Sequence, residues 1–580
     1  MTAKAPSLKW SPWGGVGEIG MNCMVFEFGD IVLPIDAGVM FADSNDYGIE
    51  ALFPDFEKII KDHKPKHWVI THAHEDHVGA TPFIFLIADH LKVDPPVLYA
   101  PPLAAAVIKE KIRDVLPRRL WDCESKVEAV PVQKQVDLGR LSFEFVHVAH
   151  SAPQSTSVAM EWRVEGRSES VKVFHTADFK IDKGSNVFAE KWRGYKPDLM
   201  LVDSTNATRR GHSISEAEIF EPIKKIVKGA TGRVFITMFS SNIHRVAMMS
   251  RIAHESGRKL ALAGRSLKTM TRLSRDNKVF EAGEFKDEVL VDSGDLQNMK
   301  DANQFILCSG SQGEMRSVLS RMANGTHPEF YVKPEDTIVF SSKMIPGNEK
   351  SIYRMINSIL SQGAKVLWDE SEDLEDLGGP IHASGHGRGE ELVEAINFIQ
   401  PDKVIPVHGN TYQMYRLRDL ALKEAKHKLE VFTAQNGESL DFALDLSSLK
   451  QPKKSVWADY PPKYLRFENF ISPSLDPFLR ERKWSANAGA VSIFLDRSGH
   501  YDIKLKGICP DSGPNSYLTN LVMRKTEDQI NSYIKKIKDK WPHGSAIETK
   551  EKDLAHLVAK DLRKTCGQKP VVFVHINPGF

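Results

Sequence analysis

Thr71-His72-Ala73-His74-Glu75-Asp76-His77-Val78-Gly79 follows directly on the apolar run Trp68-Val69-Ile70. Such a run reads as a buried strand, so the polar cluster sits at its C-terminal end, where open α/β sheets place ligands. Imidazole and carboxylate are groups that divalent zinc accepts, and a loop lets them converge. A lone histidine carries no such message, because most are satisfied structural side chains. Three histidines and an aspartate within six positions, in a chain with 21 histidines among 580 residues, do.

At 580 residues the chain exceeds one ordinary core, and two to four domains are expected. The formal net charge is +1, so a nucleic-acid partner would have to be met by local positive potential in a groove. Cys23, Cys123, Cys308, Cys509 and Cys566 are scattered and form no CxxC pair, which argues for a reducing compartment and against a thiolate metal site. The first ten residues lack a charged head followed by an apolar stretch, and Phe83 to Ala88 is too short to span a bilayer. A cytoplasmic protein without a membrane partner is expected.

Further along, strands are predicted at Met24–Phe28 and Ile31–Ile35 around a Gly29-Asp30 turn, then at Val97–Ala100, Leu141–Val148, Ser157–Trp162, Val171–His175 and Leu199–Val202. The glycines of Gly14 to Gly20 precede a strand rather than a helix, which speaks against a dinucleotide loop. From Ser215 the texture becomes regular: Val234–Phe239, Lys259–Ala263, Phe305–Cys308, Thr337–Ser341 and Lys365–Trp368 read as strands, with helices at Ile243–Glu255 and Glu349–Leu360 between them. That alternation means a parallel sheet with helical crossovers. The histidine- and glycine-rich texture returns at Ile381, and Lys403–Val407 is a strand ending on His408. One domain interrupted by another is the simplest account. Residues 449–465, polar and proline-bearing, read as a linker to a smaller unit, with a helix face Ile530, Tyr533, Ile534, Ile537 and Trp541 and a last strand Pro570–Ile576.

Every polar cluster of interest follows or ends a predicted strand: His147 and His150, Asp178, Asp203, and His408, with His382 and His386 in Ile381 to Gly387. Several strand ends carrying His or Asp beside HxHxDH point to a shared metal-bearing edge. Lone members have plainer readings. His147 reads as structural, His175 as a hydrogen-bonding neighbour of Asp178, and the pairs Arg209-Arg210 and Lys224-Lys225 as solvated faces.

With these motifs in order, the chain resembles the β-CASP nucleases of the metallo-β-lactamase superfamily. The likeness runs from about Gly14 to Leu444 through Gly15 to Gly20, Thr71 to Gly79, His150 to Pro153, His175 to Lys180, Asp203 to Asn206, Ser241 to Arg245, Gly264 to Ser266, Gly310 to Glu314, Ile345 to Glu349, His382 to His386 and Pro406 to Gly409. The resemblance implies a metallo-β-lactamase αββα sandwich (residues 1–214 and 369–448), an inserted β-CASP parallel-sheet α/β domain (215–368) and a small C-terminal α/β domain (466–580).

It also implies a two-zinc centre, with manganese or magnesium as substitutes. His72, His74 and His150 would hold one ion, Asp76, His77 and His408 the other, and Asp178 would bridge both. By the same resemblance Asp76 accepts a proton, His386 stabilises or protonates the leaving 3′ oxygen, Asp203 orients His386, and Asp36 steers an imidazole. Ser241, Asn242, His382, Ser384, Gly385 and His386 would receive the 5′ monophosphate of single-stranded RNA. The implied activity is 5′-to-3′ exoribonuclease, with endonuclease in addition, in RNA processing and decay by a homodimer or homotetramer. Two positions depart from the family pattern: Gln154 where aspartate is usual, and Ala177 where glycine is usual. A small-substrate hydrolase on the same fold is disfavoured by the inserted domain, which a thioester or β-lactam does not need. An inactive RNA-binding scaffold is disfavoured because all seven expected ligands are present.

Overall fold

The computed structural model describes residues 6–41, 51–182, 188–314, 316–345, 348–369, 378–445, 449–456, 463–466, 471–473, 489–506, 517–537, 541–542, 546–566 and 570–577. Pro346 and Gly347 of the Ile345–Glu349 motif, and residues 457–462 of the expected linker, lie outside them. Backbone packing separates a first unit that runs to Arg466 from a second made by the C-terminal residues.

Two sheets face each other in the first unit. One has eight strands in the order Lys453–Val456, Glu438–Ala443, Ser7–Gly14, Cys23–Phe28, Ile31–Ile35, His67–Val69, Val97–Ala100 and Val127–Ala129. The other has seven: Gln135–Asp137, Leu141–His147, Thr156–Trp162, Val171–His175, Leu199–Asp203, Lys403–Val407 and Glu430–Val431. Alternation along the strands supplies the layer between them. Trp10, Phe26, Phe28 and Leu33 from the first sheet meet Phe143, Phe145, Met160 and Leu201 from the second. Leu199–Asp203 is apolar at every position but its last because its other face is also covered: Met200 and Val202 pack with Leu392, Ile396 and Leu417 of the helices Gly389–Ile399 and Thr411–Glu424. On the outer side of the first sheet, the helix Thr81–Leu91 buries Phe83, Ile84 and Phe85. The result is the αββα sandwich the resemblance implied.

Between Val234 and Leu367 a separate five-stranded parallel sheet runs in the order Lys259–Ala263, Gln304–Cys308, Val234–Thr237, Thr337–Phe340, Lys365–Leu367. Each crossover is helical, as parallel pairing requires. A buried ion pair closes its amino edge: Arg233 Nε and Nη2 donate to the Asp336 carboxylate at 2.8 and 2.6 Å, both residues almost fully buried. Asp336→Ala would leave an uncompensated buried guanidinium and should cost about 3–5 kcal/mol in chemical denaturation. A loss below ~1 kcal/mol would show that water or another carboxylate takes over.

The polar stretch read as a linker is partly ordered secondary structure. Lys453–Val456 adds an exposed antiparallel edge strand to Glu438–Ala443, and Lys463–Arg466 pairs with Ala51–Pro54. Lysines on an exposed edge strand keep other strands from adding to it, so its composition is that of a protected edge rather than a tether. In the second unit, strands Tyr501–Lys506, Ala490–Leu495 and Val571–Ile576 form one sheet. Helices Tyr517–Ile537 and Ala546–Cys566 cover it through Val522, Ile530, Tyr533, Leu554, Val558 and Leu562. The first helix begins well before the predicted face and stops at Ile537; Trp541 packs on the core from beyond its end. No described helix is long and apolar enough to cross a membrane.

Candidate metal centre

Ile31–Ile35 pairs parallel with His67–Val69 in one sheet, and Val171–His175, Leu199–Asp203 and Lys403–Val407 run parallel in the other, delivering Asp36, the His72–His77 loop, Asp178, Asp203 and His408 to one carboxyl edge. Three of these residues or their neighbours leave the strand by a left-handed turn: Asp36, Ala177 and His408 have φ of 64°, 49° and 52°. That conformation costs an L-residue roughly 1–2 kcal/mol. At Ala177 it explains why glycine is usual there. Gln154 is likewise left-handed (φ 57°), and its Oε1 accepts from the Leu103 N–H at 2.8 Å, which caps the helix Pro102–Val115.

His72, His74, His150 and Asp178 offer converging ligand atoms, as do Asp76, His77, Asp178 and His408, and again Asp178, Asp203, His386 and His408. Asp178 belongs to all three groups. Both of its oxygens are buried without a hydrogen-bond partner. Around them stand His77 Nε2 at 3.2 Å, His408 Nδ1 at 3.6 Å, His72 and His150 Nε2 at 3.7 Å and His386 Nε2 at 3.8 Å. A buried carboxylate left bare in this way is costly unless a cation completes it. The donor spacings fit one, because ligands at 2.0–2.2 Å in a tetrahedron lie about 3.4 Å apart. The His72–His74 and His150–His74 nitrogen separations are both 3.0 Å.

Each imidazole is fixed by its other nitrogen, the arrangement that aims a metal-binding histidine. His77 Nδ1 lies 2.7 Å from Asp36 Oδ2, whose carboxylate also accepts from Thr71 N–H and Oγ1. His150 Nδ1 meets the Gly385 carbonyl at 2.6 Å, and His408 Nδ1 meets Thr205 Oγ1 at 2.7 Å. His386 Nδ1 lies 2.7 Å from Asp203 Oδ2. Sequence reasoning placed Asp36 and Asp203 in these supporting positions but missed Thr71 and Thr205. The available signal was a hydroxyl next to, or two residues after, a strand-end carboxylate or histidine. His147 is exposed and stands apart from the ligand groups. His175 is buried, and its Nδ1 has no hydrogen-bond partner.

The charges divide unevenly. Burial and neighbouring imidazoles hold His72 and His150 well below the ordinary histidine range and His74 at about 4, so these three are neutral donors. For His77, His386 and His408 burial pulls the same way but adjacent carboxylates outweigh it; His408 is pushed up to about 10. Burial opposes ionisation of Asp76, Asp178 and Asp203, and the imidazoles facing them overcome it and hold all three below the usual carboxylate range.

A second polar knot lies where the parallel sheet meets the Ile381–His386 loop. Buried Arg245 is held by Glu216 (Nη2–Oε1 2.6 Å, Nε–Oε2 3.0 Å), by the carbonyls of Ser341 and Ala383, and by His382 Nδ1 at 3.2 Å. Asn242 caps the helix Ile243–Glu255 and donates to Glu216. Ser241 is half-buried. Ser384 accepts from Asn206, and Gly385 leaves no room for a side chain against His150. Burial raises the Glu216 carboxyl, yet Arg245 brings it from 4.5 to about 2. Its contribution to stability is therefore complete above about pH 4.5 and fades as pH falls toward 2. Glu216→Gln should lower the unfolding midpoint at pH 6 and narrow the gap to wild type by pH 3; an equal gap at both would contradict this.

Comparison with known proteins agrees with this architecture. Residues 51–226 match the beta-lactamase superfamily domain, 231–359 the ribonuclease J beta-CASP domain, and 380–434 the Zn-dependent metallo-hydrolase RNA specificity domain. A protein of unknown function from Enterococcus faecalis V583 superposes with a TM-score of 0.51 at 14% identity, covering 75% of this chain and 99% of its own, and so shares the fold. Fold and site thus define a metal-dependent hydrolase of nucleic acid, built on the metallo-β-lactamase sandwich with a β-CASP insertion. Ribonuclease J of Helicobacter pylori (strain B128) is 31% identical over 85% of this chain and 68% of its own length. That of Thermus thermophilus is 32% identical over 73% and 72%, and that of Mycoplasma genitalium 29% over 97% and 94%. The chain belongs to the ribonuclease J family.

Proposed function

We propose that the protein is a zinc-dependent 5′-to-3′ exoribonuclease on 5′-monophosphorylated single-stranded RNA, able also to cut internally, and that it serves RNA processing and decay. The observation that carries the reading is the bare Asp178 carboxylate inside a shell of five imidazoles, in a chain whose relatives are ribonucleases. His72, His74 and His150 would hold one zinc and Asp76, His77 and His408 the other, with Asp178 available to both; the all-N/O donor set suits zinc and would tolerate manganese or magnesium. Bound cations supply Lewis acidity toward the phosphodiester and make water acidic enough to attack near neutral pH.

The protein's own groups do the rest. Asp76, ionised at neutral pH, takes the proton from the attacking water. His386, whose acid form Asp203 favours, gives a proton to the departing 3′ oxygen. Asp203 and Thr205 hold the rings of His386 and His408 in place through their Nδ1 atoms. Ser241, Asn242, His382, Ser384 and Gly385, organised by Arg245, receive the terminal phosphate, so that the chain is cut one nucleotide from its end. The same reading extends to a cytoplasmic homodimer or homotetramer. Labelled 5′-monophosphorylated RNA should yield labelled mononucleotide, chelator should stop it, and a 5′ triphosphate should slow it at least ~10-fold. Only internal fragments, or indifference to the 5′ end, would refute the exonuclease reading.

A further inference from the structure

Behind the metal-binding edge lies a hollow of about 220 Å³ lined by Arg209, Arg210, Arg416 and Lys423, with Glu390 and Glu424 the only acidic residues on its wall. None of the four cationic side chains makes an ion pair with a described residue, although surface ion pairs are plentiful elsewhere on the protein. A second basic hollow differs: its Lys224 pairs with Glu221 and Glu255. In a chain of net charge +1, a concavity with four cations outside any described ion pair and two carboxylates keeps a positive excess, a local field of the kind that attracts polyanions.

Three segments that leave the candidate metal centre build this hollow. Asp203 leads through Thr205 and Asn206 to Arg209 and Arg210. His386 leads to Arg388, which is bridged to Asn206, while Gly389 N–H donates to the Arg209 carbonyl at 3.0 Å. The helix Thr411–Glu424 starts three residues after His408 and carries Arg416 and Lys423 seven residues apart, two turns and about 10 Å along one face. Each segment therefore has the candidate metal centre at one end and this hollow toward the other.

We propose that the hollow binds the phosphodiester backbone of the RNA substrate on the 3′ side of the scissile bond. The inference rests on the ribonuclease reading: an enzyme that accepts one nucleotide at the 5′ side must hold the rest of the strand elsewhere. Arginine suits this role because its planar fork pairs with phosphate oxygens without reading sequence.

The test measures kcat and KM of the metal-loaded enzyme for release of the first nucleotide from RNAs of about 6 and about 24 nucleotides across a salt series, since each phosphate neutralised on a single strand contributes about −0.7 to the log–log slope. For wild type, the long RNA should show the lower KM and the steeper slope. The variant carrying Arg209→Gln, Arg210→Gln, Arg416→Gln and Lys423→Gln should raise KM for the long RNA at least ~10-fold, leave its kcat and the short RNA unchanged, and flatten the slope by about 2–3. On wild-type protein, long but not short RNA should protect Lys423 from acetylation. Equal effects on both lengths, no effect on the long one, or an unprotected Lys423 would overturn the inference. If neither RNA is cut, the ribonuclease reading fails instead.

Discussion

Asp178→Asn is expected to reduce turnover of RNA by about four orders of magnitude or more, the scale on which removal of one member of an interdependent catalytic unit acts. The substitution keeps the side chain's shape and removes its charge. Asp178 is the one residue common to all three candidate ligand groups, and it lies among five imidazole nitrogens with no other partner. An amide cannot serve two cations as a bridging anion, so bound metal should fall from two per chain toward one or none. Far-UV circular dichroism of the variant checks that it still folds, since His77 and His408 lose a neighbouring carboxylate. Elemental analysis beside an RNA cleavage assay separates loss of metal from loss of fold. Normal metal content with normal turnover would exclude Asp178 from the centre.

His386→Ala should lower kcat by about 10²–10⁴, the usual worth of a positioned proton donor, with metal content and KM little changed. His386 lies outside the two ligand sets assigned to the cations, and its Nε2 stands 3.8 Å from the shared carboxylate while Nδ1 is held by Asp203. The pH profile carries a second test. Burial lowers the His386 pKa, but Asp203 and Asp178 outweigh it and raise it above the ordinary 6.5. The acid form thus persists to higher pH than that of an ordinary histidine and is lost as pH rises through that raised value. Asp203→Asn removes the largest upward influence, so the alkaline limb of kcat should move to lower pH. An unmoved limb would show that another group donates the proton.

Much of this site is legible in the chain because its chemistry is local to strand ends. His72, His74, Asp76 and His77 fall within six residues, and Asp178, Asp203 and His408 each follow an apolar run whose burial on two faces makes it recognisable. What escapes local reading is created by tertiary approach. Glu216 and Arg245 are 29 residues apart and look like ordinary surface charges until the fold buries the guanidinium against Ser341, Ala383 and His382. Arg209 and Arg210 read as a solvated pair because Arg416 and Lys423, which complete the hollow, come two hundred residues later. The edge strand Lys453–Val456 hides behind a composition that protects edges and also suits linkers. Ala177 departs from the family's glycine, and only its left-handed φ of 49° reveals what the glycine is for.

The central claim is that two cations sharing Asp178 drive phosphodiester cleavage. It is tested most directly by stripping the protein of metal and adding zinc back in steps, recording bound ion and RNA turnover together. The account predicts no turnover in the stripped protein and a rise that is complete when two ions are bound per chain. Full turnover with no metal bound, or a plateau at one ion per chain, would contradict it.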